Sequence, residues 1–341
     1  MSRPIPLIVS VDTEEDNWEP RRDGVTIDNI RELPRFDALC QRLGVRATYF
    51  TTYQVAIREW AGAILRELRA DGAEVGAHLH PWNTPPLEEP FLPRNSMLKN
   101  LPPKLQLAKL ERLTATLREA IGARPLAFRA GRYGLGPDTI AALIRCGYLI
   151  DSSVTPFVSW EAYDSGPTFV GAPLDMYRHG GGRDVRTPEP DGALVEIPLS
   201  TGYSRAPFGV WSGVYRALRA RALHPLHLPG LAARLGVVSR ILLSPETHSV
   251  ADMLTLSRHL IDGGVRHLHL FLHSPSLRPG LSPFAADRAG VERIYRAIAS
   301  YVEGLSRMTA LAFVTISEAA QLQGVGSPDH AVARSGHASP R

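Results

Sequence analysis

Short apolar runs alternate along the chain with segments whose apolar positions recur every three or four residues. Pro6 to Val11 is apolar without alternation, which is typical of a strand buried on both faces of a parallel sheet. Ile27 to Leu43 has helical spacing, and Gly44 marks the end of that predicted helix. The pattern then repeats, with predicted strands at 46–52, 73–79 and 126–129 and predicted helices at 61–70, 105–121 and 137–145.

The second half of the chain is less regular. Residues 160–190 are rich in glycine and proline and predict long loops, whereas helical and strand patterns return at 249–261, 265–272, 289–303 and 311–316. Beyond about Gly324 the chain has no apolar period, which predicts a disordered tail over residues 324–341. We therefore expect a single folded domain over residues 1–323.

Polar clusters stand at the carboxyl ends of four predicted strands: Asp12-Thr13-Glu14, His78-Leu79-His80, Arg129 and His273. Alternation of strands and helices fits both a doubly wound sheet and a barrel. Polar residues that converge from the ends of many strands are, however, how barrel active sites are built. The pattern therefore favours an α/β barrel.

Composition narrows the function classes only slightly. The chain has 341 residues and 44% hydrophobic content, enough for the core of one barrel, and its net charge of +4 does not indicate nucleic-acid binding. Cys40 and Cys146 lack metal-ligand spacing and are expected to be reduced thiols. Because the chain has neither a signal-peptide pattern nor an apolar run of about 18 residues, we expect a cytoplasmic protein without a transmembrane segment.

An arginine-rich segment over residues 202–244, which we interpret as an irregular insertion, contains no acidic residue. One interpretation is a basic surface that meets an anionic glycan, a lipid phosphate or a membrane. The other is the solvated face of a helix. The arginines are Arg205, Arg216, Arg219, Arg221, Arg234 and Arg240.

The first polar cluster is unusual because a buried strand runs directly into four carboxylates, at positions 12, 14, 15 and 16. Their mutual repulsion has to be offset by positive charge. In an extended chain Asp12, Glu14 and Asp16 lie on one side, where a divalent cation would stabilise them. The alternative is a solvated acidic loop.

His78 and His80 are two residues apart on a predicted strand, so both imidazoles face the same side. Two imidazoles and one carboxylate form a three-ligand set that leaves a position for water, as in catalytic zinc sites. The alternative is a pair of structural histidines.

Arg129 and His273 each end a predicted strand. A buried arginine needs a carboxylate partner, and an arginine beside Asp12 would lower the pKa of that acid and keep it ionised. The alternative for Arg129 is a surface turn. His273 is positioned to reach a site, whereas His267 and His269 are expected to be structural.

The order of these motifs resembles the NodB-homology polysaccharide deacetylase family. The similarity covers residues 6–316 and rests on the acidic strand end, Ala-Thr-Tyr-Phe (47–50), Glu-Val-Gly-Ala-His-Leu-His-Pro (74–81), Phe-Arg-Ala-Gly-Arg-Tyr-Gly (128–134), Asp-Ser-Ser (151–153) and Leu-His-Ser (272–274). The variants His-Leu-His-Pro-Trp and His-Ser-Pro-Ser-Leu-Arg-Pro-Gly are similar to a branch found with bacterial exopolysaccharide synthesis.

The resemblance implies a deformed (β/α)7-type barrel related to the TIM barrel, and a divalent metal ion held by one acid and two histidines. Among first-row ions that such ligands accept, Zn²⁺ is the one we expect. By position His78 and His80 match the histidine ligands. Glu14 matches the acidic ligand, with Asp16 as the alternative, because Thr13 stands where most of the family has a second aspartate.

The resemblance also implies catalytic roles. Asp12 matches the catalytic base, Arg129 the residue that orients it, and His273 the general acid. Tyr133 matches a backbone oxyanion donor, although its motif is one residue longer than is usual in the family. Trp82 and Tyr133 are candidates to contact a sugar ring, with core packing as the alternative for each.

The favoured function is therefore a metal-dependent hydrolase that removes N-acetyl groups from an amino sugar or glycan in polysaccharide biosynthesis. Its expected partner is a carbohydrate, with peripheral contact to a lipid-linked glycan and no nucleic acid. Two alternatives remain: hydrolysis of another C–N amide bond, such as that of a cyclic ureide, and non-catalytic glycan binding at a drifted site. The non-catalytic alternative is left open because only Leu79 separates His78 from His80, whereas three residues separate the two histidines in most of the family.

Overall fold

The computed structural model describes residues 3–182, 184–218 and 237–324. Its strands are β1 (Ile5–Thr13), β2 (Thr48–Thr51), β3 (Glu74–Leu79), β4 (Ala127–Ala130), β5 (Ile150–Asp151), β6 (Tyr177–His179), β7 (Leu194–Glu196), β8 (Thr201–Tyr203), β9 (Arg240–Leu242), β10 (Leu268–His273) and β11 (Leu311–Phe313). The predicted tail beyond Gly324, and Arg219, Arg221 and Arg234 of the basic segment, lie outside the described residues.

Nine of the strands in the described residues form one curled sheet in the order β10-β1-β2-β3-β4-β5-β7-β6, with β11 added beside β1. Every pairing in this sheet is parallel except that of β6 with β7. The remaining two strands, β8 and β9, form a separate antiparallel ribbon. This arrangement confirms the expected single α/β domain with a deformed barrel.

Helices connect the parallel strands and cover the outside of the sheet, as short right-handed crossovers require. They are α1 (Leu33–Arg42), α2 (Tyr53–Ala56), α3 (Glu59–Ala70), α4 (Pro103–Ile121), α5 (Pro137–Cys146), α6 (Phe208–Leu218), α7 (Val250–Asp262), α8 (Arg288–Ser306) and α9 (Ile316–Leu322). Within the described residues no helix is both long and apolar enough to span a membrane.

The alternation of side chains along β1 separates the outer core from the barrel interior. Leu7, Val9 and Val11 belong to the large apolar cluster under the helices, whereas Ile8 belongs to a second cluster inside the sheet. Because successive side chains point to opposite faces, Ser10 and Asp12 share the inner face with Ile8. The interior is therefore apolar at one end and polar at the carboxyl ends of the strands.

The open side of the curled sheet is bridged by the chain around β8 and β9. His269 on β10 donates its N–H to Ser200 Oγ at 2.8 Å, and Phe271 donates to the Leu243 carbonyl at 3.1 Å. These bonds place the residues after β9 at the rim of the barrel, close to His273.

Three local predictions were wrong. The helix predicted from Ile27 is divided into a 3-10 turn (Asp28–Glu32) and α1, because Pro34 has no N–H for a continuous helix and fits the first turn of a new one. The strand predicted at 311–316 ends at Phe313, since Thr315 and Glu318 form a capping box that starts α9. The loops predicted at 160–190 contain β6, which pairs antiparallel with β7.

Candidate active site

A cavity of about 380 Å³ opens at the carboxyl ends of the strands. Strands β1, β3 and β10, which are far apart in sequence, each contribute polar side chains to its wall. With the exception of Arg129, which is buried beneath it, all of the predicted site residues line this cavity: Asp12, Glu14, His78, His80, Trp82, Tyr133 and His273.

Three of these side chains bring their donor atoms together. Glu14 Oε2 lies 3.2 Å from His80 Nε2 and 3.7 Å from His78 Nε2, and a set of one donor atom from each residue falls within 4.8 Å of one another. A carboxylate with two imidazoles is a donor set that divalent first-row metals accept. This cluster could therefore hold a divalent metal ion.

The other imidazole nitrogens are already engaged, which orients both rings. His78 Nδ1 is 3.0 Å from the Arg129 carbonyl oxygen, and His80 Nδ1 is 2.8 Å from Glu15 Oε2. Each Nδ1–H can donate to its oxygen partner, which turns each Nε2 towards Glu14, the position from which it could bind a metal ion once it carries no proton. The residues fit a metal site in this respect as well as in the identity of the donors.

The electrostatics of the cluster also favour a bound cation. Burial alone would raise the pKa of Glu14, but hydrogen bonds from His78 and His80 hold it well below its usual value. Burial lowers the pKa of His80, yet Glu15 and Glu14 together raise it to about 9. The two carboxylates thus stabilise a positive charge at His80. A proton and a metal ion would compete for its Nε2.

Asp16 does not join this cluster. Its carboxylate accepts hydrogen bonds from the backbone N–H groups of Asp28 and Asn29, both at 2.8 Å, and from Asn29 Nδ2 at 2.7 Å. The expectation that Asp12, Glu14 and Asp16 share one side of an extended chain was wrong, because β1 ends at Thr13 and the chain then turns. Of the two candidate acidic ligands, the structure brings Glu14 to the histidines.

Asp12 is paired with a fully buried arginine. Arg129 Nη1 donates to Asp12 Oδ1 at 2.5 Å, while its other N–H groups donate to Ser10 Oγ at 3.0 Å and to the Ser152 carbonyl at 2.9 Å. Burial raises the pKa of Asp12, but the Arg129 guanidinium together with His78 and His273 outweighs this effect and lowers it overall. Asp12 is therefore held ionised at neutral pH.

His269 lies on the far side of the same guanidinium. Its Nε2 is 3.2 Å from Arg129 Nη2 and 2.8 Å from Ser10 Oγ, and the ring is fully buried. Burial and the neighbouring Arg129 lower the pKa of His269 well below its usual value. A neutral imidazole here accepts hydrogen bonds and helps to fix the arginine that contacts Asp12.

His273 has a partner that sequence reasoning missed. Its Nδ1 is 2.9 Å from Glu246 Oε2, and Glu246 Oε1 accepts from the His273 backbone N–H at 3.1 Å. Burial lowers the pKa of His273, but Glu246 raises it to about 10 with support from Glu14 and Asp12. The only sequence signal for Glu246 is that it is the first acidic residue after Glu196 and follows an apolar run.

Aromatic rings form the remaining walls of the cavity. Trp82 is stacked on His80 with ring centroids 4.2 Å apart and is almost fully buried, so it also supports a candidate metal ligand. Tyr133 is stacked on Trp160 at 5.0 Å. Arg132 and Tyr133 both have left-handed backbones, with φ of 53° and 57°, a strained arrangement that is concentrated at functional sites.

Comparison with known proteins supports the resemblance seen in the motifs. Residues 24–150 match the model of the polysaccharide deacetylase family, a segment that includes both histidines and Arg129 but neither Asp12 nor His273. No curated protein sequence matches the chain.

Two solved structures share the fold. A candidate polysaccharide deacetylase from Mycobacterium smegmatis is 18% identical, with a TM-score of 0.53 over 95% of this chain and 92% of that one. The 4-alpha-glucanotransferase of Thermococcus litoralis is 11% identical, with a TM-score of 0.51 over 94% of this chain and 40% of that one. At these identities the likeness concerns the fold, which supports more than one reaction. The family match over residues 24–150 therefore confirms the resemblance to the polysaccharide deacetylases.

Proposed function

We propose that this protein is a metal-dependent hydrolase that removes N-acetyl groups from an amino sugar in a glycan. The observation that carries the proposal is the convergence of three charged units on one cavity. These units are the Asp12–Arg129 pair, the His273–Glu246 pair and the cluster of Glu14, His78 and His80. Amide hydrolysis needs a base, an acid and a centre that stabilises negative charge on oxygen, and the three units supply them.

Asp12 would act as the base that takes a proton from the attacking water. Arg129 keeps its carboxylate ionised and, through Oδ1, fixes its orientation. The second oxygen, Oδ2, lies 3.8 Å from His273 Nε2 and so faces the same cavity as the candidate proton donor. A positioned base of this kind contributes about 10²–10⁴-fold to a rate.

His273 would protonate the departing amine. An amide nitrogen leaves poorly unless it gains a proton, and Glu246 on Nδ1 keeps the imidazole charged so that Nε2 carries a proton. The 3.8 Å between Nε2 and Asp12 Oδ2 sets base and acid close to each other without a direct hydrogen bond.

Glu14, His78 and His80 would hold the divalent ion. When bound, such an ion polarises the acetyl carbonyl and lowers the pKa of water from about 16 towards 7. Within the proposal we take Zn²⁺ as the ion, since two imidazoles and a carboxylate that leave one position open are typical of catalytic zinc. Tyr133 would supply a backbone N–H to the developing oxyanion, supported by its place in the cavity wall.

The biological setting is also part of the proposal. The motifs His-Leu-His-Pro-Trp and His-Ser-Pro-Ser-Leu-Arg-Pro-Gly support a role in exopolysaccharide biosynthesis. The arginines of residues 202–244, with no acidic residue among them, support peripheral contact with a lipid-linked glycan. The expected cytoplasmic location is part of the same proposal.

The test is release of acetate from N-acetylated sugars and glycans by protein loaded with a divalent ion. Asp12→Asn should abolish turnover while metal content stays near that of the wild type, because Asp12 is not in the ligand cluster. His78→Ala should lose both turnover and the bound metal ion. Full activity of Asp12→Asn would remove Asp12 as the base.

The same experiment distinguishes the alternatives. Activity on a cyclic ureide without acetate release would favour hydrolysis of another amide bond. A protein that binds glycans but holds no metal ion after purification without chelator would favour a non-catalytic role.

A further inference from the structure

Helix α6 has an apolar face that points away from the protein. Of its eleven residues only Arg216 is charged. Val210 and Val214 lie one turn apart and are 60% and 37% exposed. A surface helix normally turns charged and polar residues to solvent, whereas a helix that is apolar all round is normally buried. The outward face of α6 is therefore suited to an apolar surrounding that the described residues do not provide.

The opposite face of α6 is anchored by aromatic rings. Phe208 packs against Phe157 and Tyr203, with ring centroids 5.8 and 6.2 Å apart. Tyr215 lies 5.6 Å from Tyr203, and Trp211 packs against the same cluster. This packing fixes the rotation of the helix about its axis, so the two valines stay directed outwards.

The space in front of the valines is open. A Cβ added at Gly209 or Gly213, the residues that precede the two valines, would meet no atom of the described residues within 4 Å. Glycine and valine both have low helix propensity, and no packing within the described residues compensates for it here. A partner that covers this face would account for their presence.

Arginines and aromatic rings border the apolar face. The guanidinium carbon of Arg205 lies 5.4 Å from the centroid of the Trp211 ring, and that of Arg240 lies 5.4 Å from the Tyr215 ring. Tryptophan, tyrosine and arginine beside an apolar stripe are typical of helices that lie in the interface of a membrane.

The charge of this part of the chain has one sign. Residues 197–245 contain six arginines and no acidic residue. Among the described arginines of this segment, Arg205, Arg216 and Arg240 lie on α6 or contact it. An apolar face with positive charge around it is complementary to a bilayer that contains anionic lipids.

A second copy of the chain fits the same face less well. In a two-fold contact each patch meets its own copy, so Arg205, Arg216 and Arg240 would oppose the same three arginines. The helix is also about 16 Å long and about 10 Å wide, which gives its face an area of roughly 160 Å². A stable interface between proteins needs about 800 Å² from each partner.

Helix α6 is connected closely to the catalytic cavity. It packs on Tyr203 of β8, and β8 pairs with β9, whose Leu242 lines that cavity. Phe157, which contacts Phe208, is three residues before Trp160 of the cavity wall. A membrane in contact with α6 would therefore lie near the site of the proposed reaction.

We propose that the outward face of α6 docks on an anionic lipid bilayer, with its valines in the interfacial region and its arginines against the lipid headgroups. This inference rests on the proposed function for the purpose of docking, which is access to a lipid-linked glycan. It adds the surface of the protein that contacts the membrane and the charge of the lipids.

Cosedimentation of the full-length protein with lipid vesicles tests the proposal. The vesicles contain either phosphatidylcholine alone or phosphatidylcholine and phosphatidylglycerol in equal parts. Binding to the mixed vesicles should be about tenfold tighter or more, because each arginine near an anionic surface contributes about fivefold, and it should weaken as the salt concentration rises. Equal binding to both kinds of vesicle, or binding to neither, would overturn the proposal.

A pair of double variants tests the apolar face. Val210→Gln/Val214→Gln should weaken binding to the mixed vesicles about tenfold, because the exposed parts of two valine side chains no longer enter the bilayer. Ile57→Gln/Leu322→Gln changes two apolar residues of similar exposure on other surfaces and should leave binding unchanged. Wild-type binding by the valine variant would refute the assignment of α6.

A second pair tests the arginines at constant net charge. Arg205→Gln/Arg216→Gln should weaken binding to the mixed vesicles about tenfold or more. Arg42→Gln/Arg118→Gln removes the same charge from exposed positions of α1 and α4 and should bind like the wild type. Losses of equal size in both variants would mean that binding follows net charge alone, which would also refute the assignment.

Two further measurements separate the proposals. A concentration-dependent dimer in analytical ultracentrifugation, lost in Val210→Gln/Val214→Gln, would assign the face to a second copy and overturn membrane docking. Acetate release from a water-soluble N-acetylated oligosaccharide, without vesicles, tests the proposed function by itself. Vesicle binding without acetate release would refute that function and support the docking surface, whereas acetate release without vesicle binding would do the reverse.

Discussion

Replacing Glu246 by glutamine removes the negative charge that lies beside His273, the candidate proton donor, with little change in the shape of the side chain. Glu246 contacts His273 twice, at Nδ1 and at the backbone N–H, and also accepts from Ser276 Oγ at 2.5 Å. Glutamine keeps one oxygen, which can still accept from the His273 backbone N–H and from Ser276 Oγ, while its NH2 group would face His273 Nδ1. The substitution therefore tests the charge of Glu246 more than its packing.

The expected change in the pKa of His273 follows from the 2.9 Å between its Nδ1 and Glu246 Oε2. An opposite charge in direct contact shifts a pKa by about 1–3 units, each worth about 1.4 kcal/mol. Burial opposes protonation of His273, and with Glu246 in place its pKa is nevertheless about 10. Without that carboxylate we expect the pKa of His273 to fall by about one to three pH units.

The assay is the pH profile of kcat/KM for acetate release. A general acid must be protonated, so activity is lost as the pH rises through the pKa of His273, and in Glu246→Gln this alkaline loss should move to lower pH by the same one to three units. Glu303→Gln, which neutralises an exposed carboxylate on α8, should leave the profile unchanged. An unshifted alkaline limb in Glu246→Gln would refute the pairing argument.

The same pKa has a consequence for stability. The folded-state pKa of His273 lies above its ordinary value of 6.5, so its contribution to stability is complete below about pH 6.5 and is lost as the pH rises through about 10. The free energy of unfolding of the wild type should therefore decline across this range. The decline should be smaller in Glu246→Gln, and an equal decline in both proteins would contradict the raised pKa.

Two further predictions concern the buried cation and the metal. Lys109→Met should lower the free energy of unfolding by about 3–5 kcal/mol in a denaturant titration, because it leaves the carbonyl oxygens of Pro81, Thr84 and Pro86 without their donor and buried Glu89 with Arg22 as its remaining cationic partner. Lys104→Met, at an exposed position of α4, should change it by less than about 0.5 kcal/mol. Similar values for both variants would mean that the Lys109 ammonium does not stabilise these carbonyl groups. Chelator should remove about 2.7 kcal/mol of stabilisation from protein kept at 100 times the metal Kd, and His78→Ala should be insensitive to it. Equal chelator sensitivity in wild type and variant would place the metal elsewhere.

Local pattern was enough to locate the elements that build the barrel. The apolar run before Asp12 lies in β1, and β3 ends at Leu79, between the two histidines, because burial on both faces of a parallel strand leaves an uninterrupted hydrophobic signal. In two of the three wrong local predictions a competing local signal was present. Pro34 and the Thr315–Glu318 capping box each changed an element at a position that can be read from the chain.

Side-chain partners at long sequence separation could not be read from the chain. Asp16 was the alternative to Glu14 in the sequence, yet the chain after Thr13 directs its carboxylate to the N–H groups of Asp28 and Asn29. His269 looked like an ordinary core residue until the fold placed it against Arg129, 140 positions away.

The sequence by itself determined that strands and helices alternate along the chain. It also determined that carboxylates, imidazoles and a guanidinium lie at the ends of strands. Both could be predicted because the hydrophobic period and the direction of a strand are local properties. Only the tertiary structure decided which of those groups meet. The pairing of Glu246 with His273 and the choice of Glu14 over Asp16 depend on how the curled sheet brings distant loops to one rim. Distances between such groups are set by packing across the whole barrel, which no short segment encodes.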